Sequence, residues 1–198
     1  MATRNRLQRS RRTGITLVES LVSVTITAIA GTALFSAIGA SLGASYSALN
    51  TNFGAGLADQ MLDEMTAVRF PTSSDSRPTG TGIRSQFNDL DDYHNWSSTP
   101  PENKAGFALG SEPLTVLNYY AIARPTLLKP DTDFLKRITR EVTVEKIRLN
   151  SSSEWEVTTD DTDYRRVTVT IKLAMNAGAG SQIIKETTRI FSYVPLSP

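Results

Sequence analysis

The sequence predicts an α+β protein in which one long N-terminal helix packs on a C-terminal antiparallel sheet. Three patterns support this prediction. Residues 15–39 form an apolar run whose only charge is Glu19. Apolar residues then recur every three or four positions between Leu49 and Val68, as they do on one face of a helix. Near the C-terminus, apolar and polar residues alternate through Tyr164–Met175, as they do in a strand with one buried face. A helix followed by antiparallel strands forms a two-layer α+β domain.

The first 14 residues have the composition of a membrane-targeting segment. They hold five of the chain's 21 Lys and Arg residues and none of its 20 Asp and Glu residues. A basic segment ahead of an apolar run is expected to stay on the cytoplasmic side of the membrane. In the rest of the chain no Lys or Arg cluster lies among aromatic residues, so we predict no nucleic-acid partner. The chain has no cysteine, which excludes disulfide bonds.

Residues 15–39 are long enough to cross a bilayer as a helix, which takes about 20 residues. Many of these residues are small or carry a hydroxyl group. In lipid, such residues allow helices to pack closely and to hydrogen bond with one another, and Gly39 and Gly43 have a spacing typical of such contacts. These residues favour packing against sister helices, although they could also simply make a mediocre hydrophobic span.

The helix is predicted to continue to Val68, with residues 40–70 as an amphipathic segment that ends before Pro71. One face carries apolar residues at three- or four-residue steps: Leu49, Phe53, Leu57, Met61, Met65 and Val68. The opposite face carries Asp59, Gln60, Asp63 and Glu64. Gly54 and Gly56 each cost about 1 kcal/mol relative to alanine within a helix. A kink or a melted turn is expected there.

Residues 71–198 are predicted to form an α+β head. Its first part, 71–117, is rich in Ser, Thr, Pro and Gly and is predicted to be irregular, with a turn or short helix at Asn88–Trp96. Aromatic residues are expected to pin this part over the sheet: Phe87, Tyr93, Trp96 and Phe107. The second part, 118–198, is predicted to hold the strands: Asn118–Arg124, Ile138–Leu149, Glu154–Thr159, Tyr164–Met175 and Gln182–Val194. A phase shift before Ile147 suggests a bulge.

The stretch Gly14-Ile15-Thr16-Leu17-Val18-Glu19 is the most informative motif in the chain. A carboxylate at the centre of a membrane helix costs about 2.5–3.5 kcal/mol on insertion scales, so Glu19 is expected to have a function. With basic residues before it and an apolar run after it, the stretch resembles the class III leader of type IV pilins and secretion pseudopilins. In that family the leader ends in Gly, and a Thr-Leu-Val-Glu run places Glu at the fifth mature position. Ile15 stands where Phe is more common.

The resemblance implies that prepilin peptidase removes residues 1–14 by cutting after Gly14, and that the new amine of Ile15 is N-methylated. It implies a pilin-like fold, with residues 15–39 as the transmembrane and filament-core helix. It also implies a structural subunit, a minor pilin or pseudopilin, of a type IV pilus-like filament or a type II secretion pseudopilus. Glu19 would form an ion pair with the Ile15 amine of a neighbouring subunit.

The same resemblance implies a location and a set of partners. The chain would be a single-pass protein of the bacterial inner membrane with its head in the periplasm, and part of a filament once assembled. Its partners would be prepilin peptidase, other pilin or pseudopilin subunits, and inner-membrane lipid before assembly.

Other interpretations of the N-terminus remain open. A plain single-span anchor explains the arginines and the apolar run but not Gly14 or Glu19. A signal peptide cleaved near Ala44 would have an apolar region longer than the usual length of roughly 7–15 residues. A twin-arginine export signal beginning at Ser10 fits the next residues poorly. The alternative function is a membrane-anchored periplasmic binding domain that does not polymerise and uses Thr72–Leu117 as its ligand surface.

No pattern in the sequence predicts an enzyme or a cofactor site. Nucleophile–base, phosphate-loop and paired-carboxylate arrangements do not stand out. His94 lies near three acidic residues (Asp89, Asp91 and Asp92), which we expect to be solvated and not to bind a metal. The loop of Asp160, Asp161 and Asp163 resembles part of a calcium loop but lacks the required glycine and distal glutamate. We expect a charged hairpin turn there and leave calcium open.

Overall fold

One long helix and an antiparallel sheet make up the regular structure, so the predicted fold class is confirmed. The computed structural model describes residues 14–71, 84–111, 127, 131–175 and 180–194. The helices are α1 (Leu17–Thr66), the single turn α2 (Thr132–Leu135) and two 3-10 turns (Arg84–Gln86 and Asp91–Tyr93). The strands are β1 (Trp96–Ser98), β2 (Ile138–Leu149), β3 (Trp155–Val157), β4 (Tyr164–Ala174) and β5 (Ser181–Ser192). The chain divides into two compact units, Met1–Ala48 and Leu49–Pro198.

The sheet has the strand order β1-β2-β4-β5, and every neighbouring pair is antiparallel. β2 pairs with β4 from Ile138 to Lys146, and the end of β2 pairs with β3 instead. This change of partner coincides with the shift in burial between Val144 and Ile147. The phase shift that suggested a bulge in β2 therefore marks the point where the strand exchanges one partner for another. The register shift in this sheet lies between β4 and β5, at Ile171 and Lys172.

The hydrophobic core of the second unit lies between the C-terminal part of α1 and one face of the sheet. From α1 come five buried side chains: Leu57, Ala58, Met61, Leu62 and Met65. From β2 and β4 come alternate residues: Ile138, Val142, Val144, Val167, Val169, Ile171 and Leu173. Arg140 shares this face, and because side chains of a strand alternate between faces, the residues of the other face point away from the core. They include the ion pairs Glu141–Lys172 and Glu145–Arg166.

The predicted amphipathic face of α1 is confirmed over most of its length. Phe53 and Val68 are partly buried against the core that begins at Leu57. Leu49, in contrast, is exposed, so its assignment to the buried stripe is wrong. It stands at the boundary between the two units.

Gly54 is a packing position, and the prediction of a melted turn near it is wrong. α1 is helical through both Gly54 and Gly56. A Cβ atom on Gly54 would lie 3.0 Å from Cβ of Lys185 and 3.2 Å from Cγ1 of Ile184, both in β5. A Cβ atom on Gly56 would meet nothing within 4 Å. The close approach of α1 to β5 therefore favours a residue without a side chain at Gly54.

The region before β2 differs from the prediction in one element. β1 lies within residues 71–117, which were expected to be irregular, and it pairs with β2. A strand of three residues is too short to show alternation in sequence. The turn or short helix predicted at Asn88–Trp96 is confirmed by the 3-10 turn Asp91–Tyr93. The strand predicted at Asn118–Arg124 lies outside the described residues, as do residues 1–13.

Candidate functional site

The start of α1 holds the three residues that the sequence singles out. Gly14 and Ile15 precede the helix, and Glu19 lies in its first turn. The backbone N–H of Glu19 donates to Oγ1 of Thr16 over 3.2 Å. Thr16 therefore caps the helix, and Thr-x-x-Glu is the sequence of a capping box. At this position a carboxylate also interacts favourably with the positive end of the helix dipole.

The capping role of Thr16 was not foreseen from the sequence. A Thr followed three residues later by a Glu, just before an apolar run, is the pattern that would have predicted it. The backbone N–H of Glu19 thus has a local role at the helix start, independent of any contact with another subunit.

The N-terminal half of α1 leaves its apolar side chains exposed. From Gly14 to Leu49 every residue is exposed except the half-buried Gly31, and Ile15 and Phe35 are 75% and 77% exposed. α1 is long and apolar enough to cross a membrane, and none of its most apolar stretch is buried in the chain. A helix that is apolar on all sides is normally surrounded by lipid or by other protein.

Hydroxyl groups in this half of α1 bond within the helix. Ser23 donates to the carbonyl of Glu19, and Thr25 donates to the carbonyl of Leu21, each over 2.8 Å. Thr27 likewise donates to the carbonyl of Ser23 over 2.8 Å. Such bonds satisfy the hydroxyl donors without water, as an apolar environment requires. Each hydroxyl oxygen can still accept a hydrogen bond from a neighbouring helix.

Glycines in the first unit are not required by packing within the described part of the chain. A Cβ atom on Gly14, Gly31, Gly39 or Gly43 would meet nothing within 4 Å, in contrast with Gly54. Small residues at these positions are compatible with close contact by another molecule.

In the second unit, a buried carboxylate links α1 to the loop region. Oε2 of Glu64 accepts from Nη2 of Arg84 over 2.6 Å, and Oε1 accepts from the hydroxyl of Tyr93 over 2.8 Å. Burial raises the pKa of Tyr93 well above its ordinary value of 10.0, and the nearby Glu64 carboxylate raises it further. The placement of Glu64 on the polar face of α1 was therefore wrong, because its side chain is largely buried.

Two arginines stack around one tryptophan beside this carboxylate. The guanidinium carbons of Arg84 and Arg140 lie 4.5 and 5.5 Å from the ring centroid of Trp96. Both arginines also donate to the backbone carbonyl of Glu102. Arg140 is fully buried, and burial lowers its pKa to about 9. These contacts anchor the segment around Glu102 to the core.

His94, considered as a metal ligand, instead supports the sheet. Its Nδ1 accepts the backbone N–H of Val144 over 3.2 Å. Of the nearby acids, Asp91 pairs with Arg165 over 2.8 Å, and Asp92 accepts a backbone N–H within its own turn.

The acidic loop between β3 and β4 is partly neutralised by lysine and arginine. Asp161 pairs with Lys146 over 2.6 Å, and Asp160 pairs with Arg148 over 3.2 Å. Across the described residues, no group of three or more His, Cys, Asp or Glu side chains is placed to hold a metal ion.

Aromatic residues of the loop region belong to the core. Phe87, Tyr93 and Trp96 are buried, and the rings of the first two meet edge-on with centroids 5.0 Å apart. The prediction that aromatic residues pin the region over the sheet is confirmed for these three and wrong for Phe107, which is exposed. Because these three rings are not exposed, they do not form the ligand surface that the binding-domain alternative requires.

The N-terminal site therefore combines a capped helix start, a carboxylate in the first turn and an exposed apolar helix.

Comparison of the chain with protein-family models, with curated proteins and with solved structures finds no match. The function is accordingly inferred from these residues themselves.

Proposed function

We propose that the chain is a structural subunit, of the minor pilin or pseudopilin type, in a type IV pilus-like filament or a type II secretion pseudopilus. The observation that carries this proposal is the Gly14–Glu19 stretch at the start of a helix whose apolar side chains are exposed. The proposed role is assembly, with no catalysis by this chain.

Before assembly, the apolar half of α1 is held in the bacterial inner membrane and the head is in the periplasm. Lipid then covers the side chains from Ile15 to about Gly39. The arginines of residues 1–14 remain in the cytoplasm, because basic residues flanking a membrane helix resist translocation. The length and composition of α1 support this location.

Prepilin peptidase then cuts between Gly14 and Ile15. The residues on both sides of this bond lie outside the helix, where backbone is more easily bound in an extended form by a peptidase. The cut gives Ile15 an α-amino group, which the family methylates and which stays cationic.

Glu19 supplies the opposite charge during assembly. Its carboxylate meets the Ile15 amine of a neighbouring subunit in a surrounding of low dielectric constant, where the attraction between unit charges is strong. A carboxylate left unpaired in the same place is costly. Pairing therefore favours one register of docking and requires a neighbour that has lost its leader.

Two substitutions separate processing from assembly. Gly14→Leu should block the cut, because the peptidase must accommodate a small residue beside the scissile bond. Glu19→Gln should leave the cut intact and reduce the amount of the subunit in filaments by at least about tenfold. Glutamine also fits a capping box, so this change removes the charge while preserving the start of α1. Mass spectrometry of the N-terminus and quantification of the subunit in sheared filaments measure the two steps.

Asp59→Asn is the matched control, since it neutralises an exposed carboxylate elsewhere on α1. This variant should be cut and assembled like the wild type. Cleavage of Gly14→Leu at the same bond would contradict the proposed processing. Normal entry of Glu19→Gln subunits into filaments would contradict the ion pair.

A further inference from the structure

The first hydrogen bonds of α1 converge on Thr16. Its carbonyl accepts the backbone N–H of Ser20 over 3.1 Å, and the same carbonyl accepts the hydroxyl of Ser20 over 3.2 Å. Oγ1 of Thr16 accepts the backbone N–H of Glu19 over 3.2 Å. A residue with this pattern is the N-cap, which borders a helix without having helical backbone itself. The side chain of Thr16 therefore takes part in setting where α1 begins.

The bond between Gly14 and Ile15 lies just outside this cap. Ile15 is 75% exposed, and a Cβ atom on Gly14 would meet nothing within 4 Å. Among the described residues, no backbone N–H bonds to the carbonyl of Gly14. Hydrolysis adds water across this bond and leaves a carboxyl group on Gly14 and an amine on Ile15. The carbonyl carbon that water attacks is thus free of the helix.

Extension of α1 by two residues would remove this freedom. In a helix each N–H bonds to the carbonyl four residues earlier. If Thr16 became helical, the N–H of Glu19 would bond to the carbonyl of Ile15 and no longer to Oγ1 of Thr16. If Ile15 also became helical, the N–H of Val18 would bond to the carbonyl of Gly14, which is the reacting group.

The hydroxyl of Thr16 opposes this extension, because it already satisfies the N–H of Glu19. A side chain without an acceptor would leave that N–H without a partner. In an apolar surrounding an unsatisfied N–H is costly, so it would favour a carbonyl one turn back. Alanine is in addition the strongest helix former, whereas valine and threonine are weak ones.

We propose that Thr16 is a positioning residue for leader removal. Its hydroxyl holds the start of α1 clear of the Gly14–Ile15 bond and so keeps the carbonyl of Gly14 accessible to the peptidase. This inference rests on the proposed function, since it assigns a role in that cleavage.

Cleavage of the full-length precursor by purified prepilin peptidase in non-ionic detergent tests this role, with mass spectrometry of the N-terminus as the readout. Thr16→Val keeps the branched shape and removes the acceptor, and Thr16→Ala also favours helix. KM should rise at least about threefold for Thr16→Val and further for Thr16→Ala, with kcat unchanged, because only precursors with an unextended helix bind. Thr16→Ser and Thr16→Asn retain an acceptor and should be cut like the wild type.

Thr25→Ala is the matched control. It removes a hydroxyl that bonds to the carbonyl of Leu21 within the helix, away from the cap, and it should be cut like the wild type. Cleavage of Thr16→Ala with the KM of the wild type would overturn the proposal. A fall in kcat at constant KM would overturn it as well, and so would rescue by Thr16→Ser but not by Thr16→Asn. Both results would indicate direct contact between this side chain and the peptidase.

Backbone 13C chemical shifts of the precursor locate the start of α1 without the peptidase. The signals of Gly14 and Ile15 should move towards helical values in Thr16→Ala and stay unchanged in Thr16→Ser and Thr25→Ala. Unchanged signals in Thr16→Ala would overturn the proposal. A wild-type precursor that the peptidase does not cut would contradict the proposed function and the role of Thr16 in cleavage together. The chemical shifts would then still decide whether Thr16 sets the helix start, which separates the two failures.

Discussion

Tyr93 donates its hydroxyl hydrogen to a carboxylate that also binds Arg84, and this side chain connects the loop region to α1. The bond runs from the loop to Oε1 of Glu64. A hydrogen bond to a charged group contributes about 1.5–3 kcal/mol to stability. Since burial and Glu64 both raise the pKa of Tyr93, the folded protein holds this proton more tightly than the unfolded chain does.

Tyr93→Phe should lower the free energy of unfolding by about 1.5–3 kcal/mol at neutral pH, because Glu64 loses a donor. The difference between wild type and variant should shrink as the pH rises above about 10. In that range the tyrosine of the unfolded wild type loses its proton while the folded one keeps it. The contribution of Tyr93 to the free energy of unfolding is thus complete below about pH 10. It is lost progressively as the pH rises from there to the raised pKa of Tyr93.

Urea titrations at about pH 7 and about pH 11, followed by tryptophan fluorescence, measure this difference. Subtracting the variant from the wild type removes titrations that both proteins share. A difference that stayed constant between the two pH values would contradict the raised pKa.

Residues at the candidate sites could be predicted from the sequence when their signal is local. Glu19 stands out because it is the only charge in an apolar run, and Gly14 because it immediately precedes that run. Glu64 does not stand out, because its partners Arg84 and Tyr93 are distant in sequence and only folding brings them together. Asp163 was noticed as part of an acidic loop, but the neutralisation of its neighbours required the structure.

Among the elements, α1 carries two glycines whose surroundings differ: Gly54 is packed closely against β5, and Gly56 faces open space. Gly54→Leu should lower the free energy of unfolding by about 1–3 kcal/mol or more, because the new side chain would meet Ile184 and Lys185 in β5. Gly56→Leu should be neutral or stabilising by up to about 1 kcal/mol, because leucine favours helix and has open space there. Urea denaturation measured by fluorescence compares the two. Equal effects would show that the approach of α1 to β5 does not restrict Gly54.

Long elements were predicted closely because their patterns repeat. β2 has the predicted bounds, and β4 and β5 differ from the prediction by at most two residues at either end. Alternation of apolar and polar residues over a dozen positions predicts the bounds of a strand. The proline after Phe70 sets a limit to how far α1 can extend towards the C-terminus. β1 was missed since three residues cannot repeat a pattern. Whether a glycine breaks a helix or admits a neighbouring strand depends on contacts distant in sequence.

At the scale of the whole molecule, the described hydrophobic core belongs to the second unit. All core residues of α1 follow Phe53, and the remaining core residues come from the loop region and the strands. Both tryptophans, Trp96 and Trp155, also lie in this unit. Their fluorescence therefore reports the folding of the head.

Residues 45–198 should consequently fold without the apolar half of α1. The fragment should be soluble and monomeric, show helix and strand by circular dichroism, and unfold cooperatively. Its urea midpoint should match that of the full-length protein in detergent, because removing residues 1–44 deletes no buried side chain among those described. An aggregated product, or one that unfolds without cooperativity, would contradict this prediction.

The exposure of every side chain from Ile15 to Leu49, apart from the half-buried Gly31, has a consequence for inheritance. A substitution in that stretch leaves the head correctly folded, so quality control that recognises unfolded protein would not remove the altered subunit. Under the proposed function, such a subunit would still be present to dock badly beside normal ones. Changes in this half of α1 should therefore tend to be dominant, whereas changes in the head core, which cause loss of the subunit, should tend to be recessive.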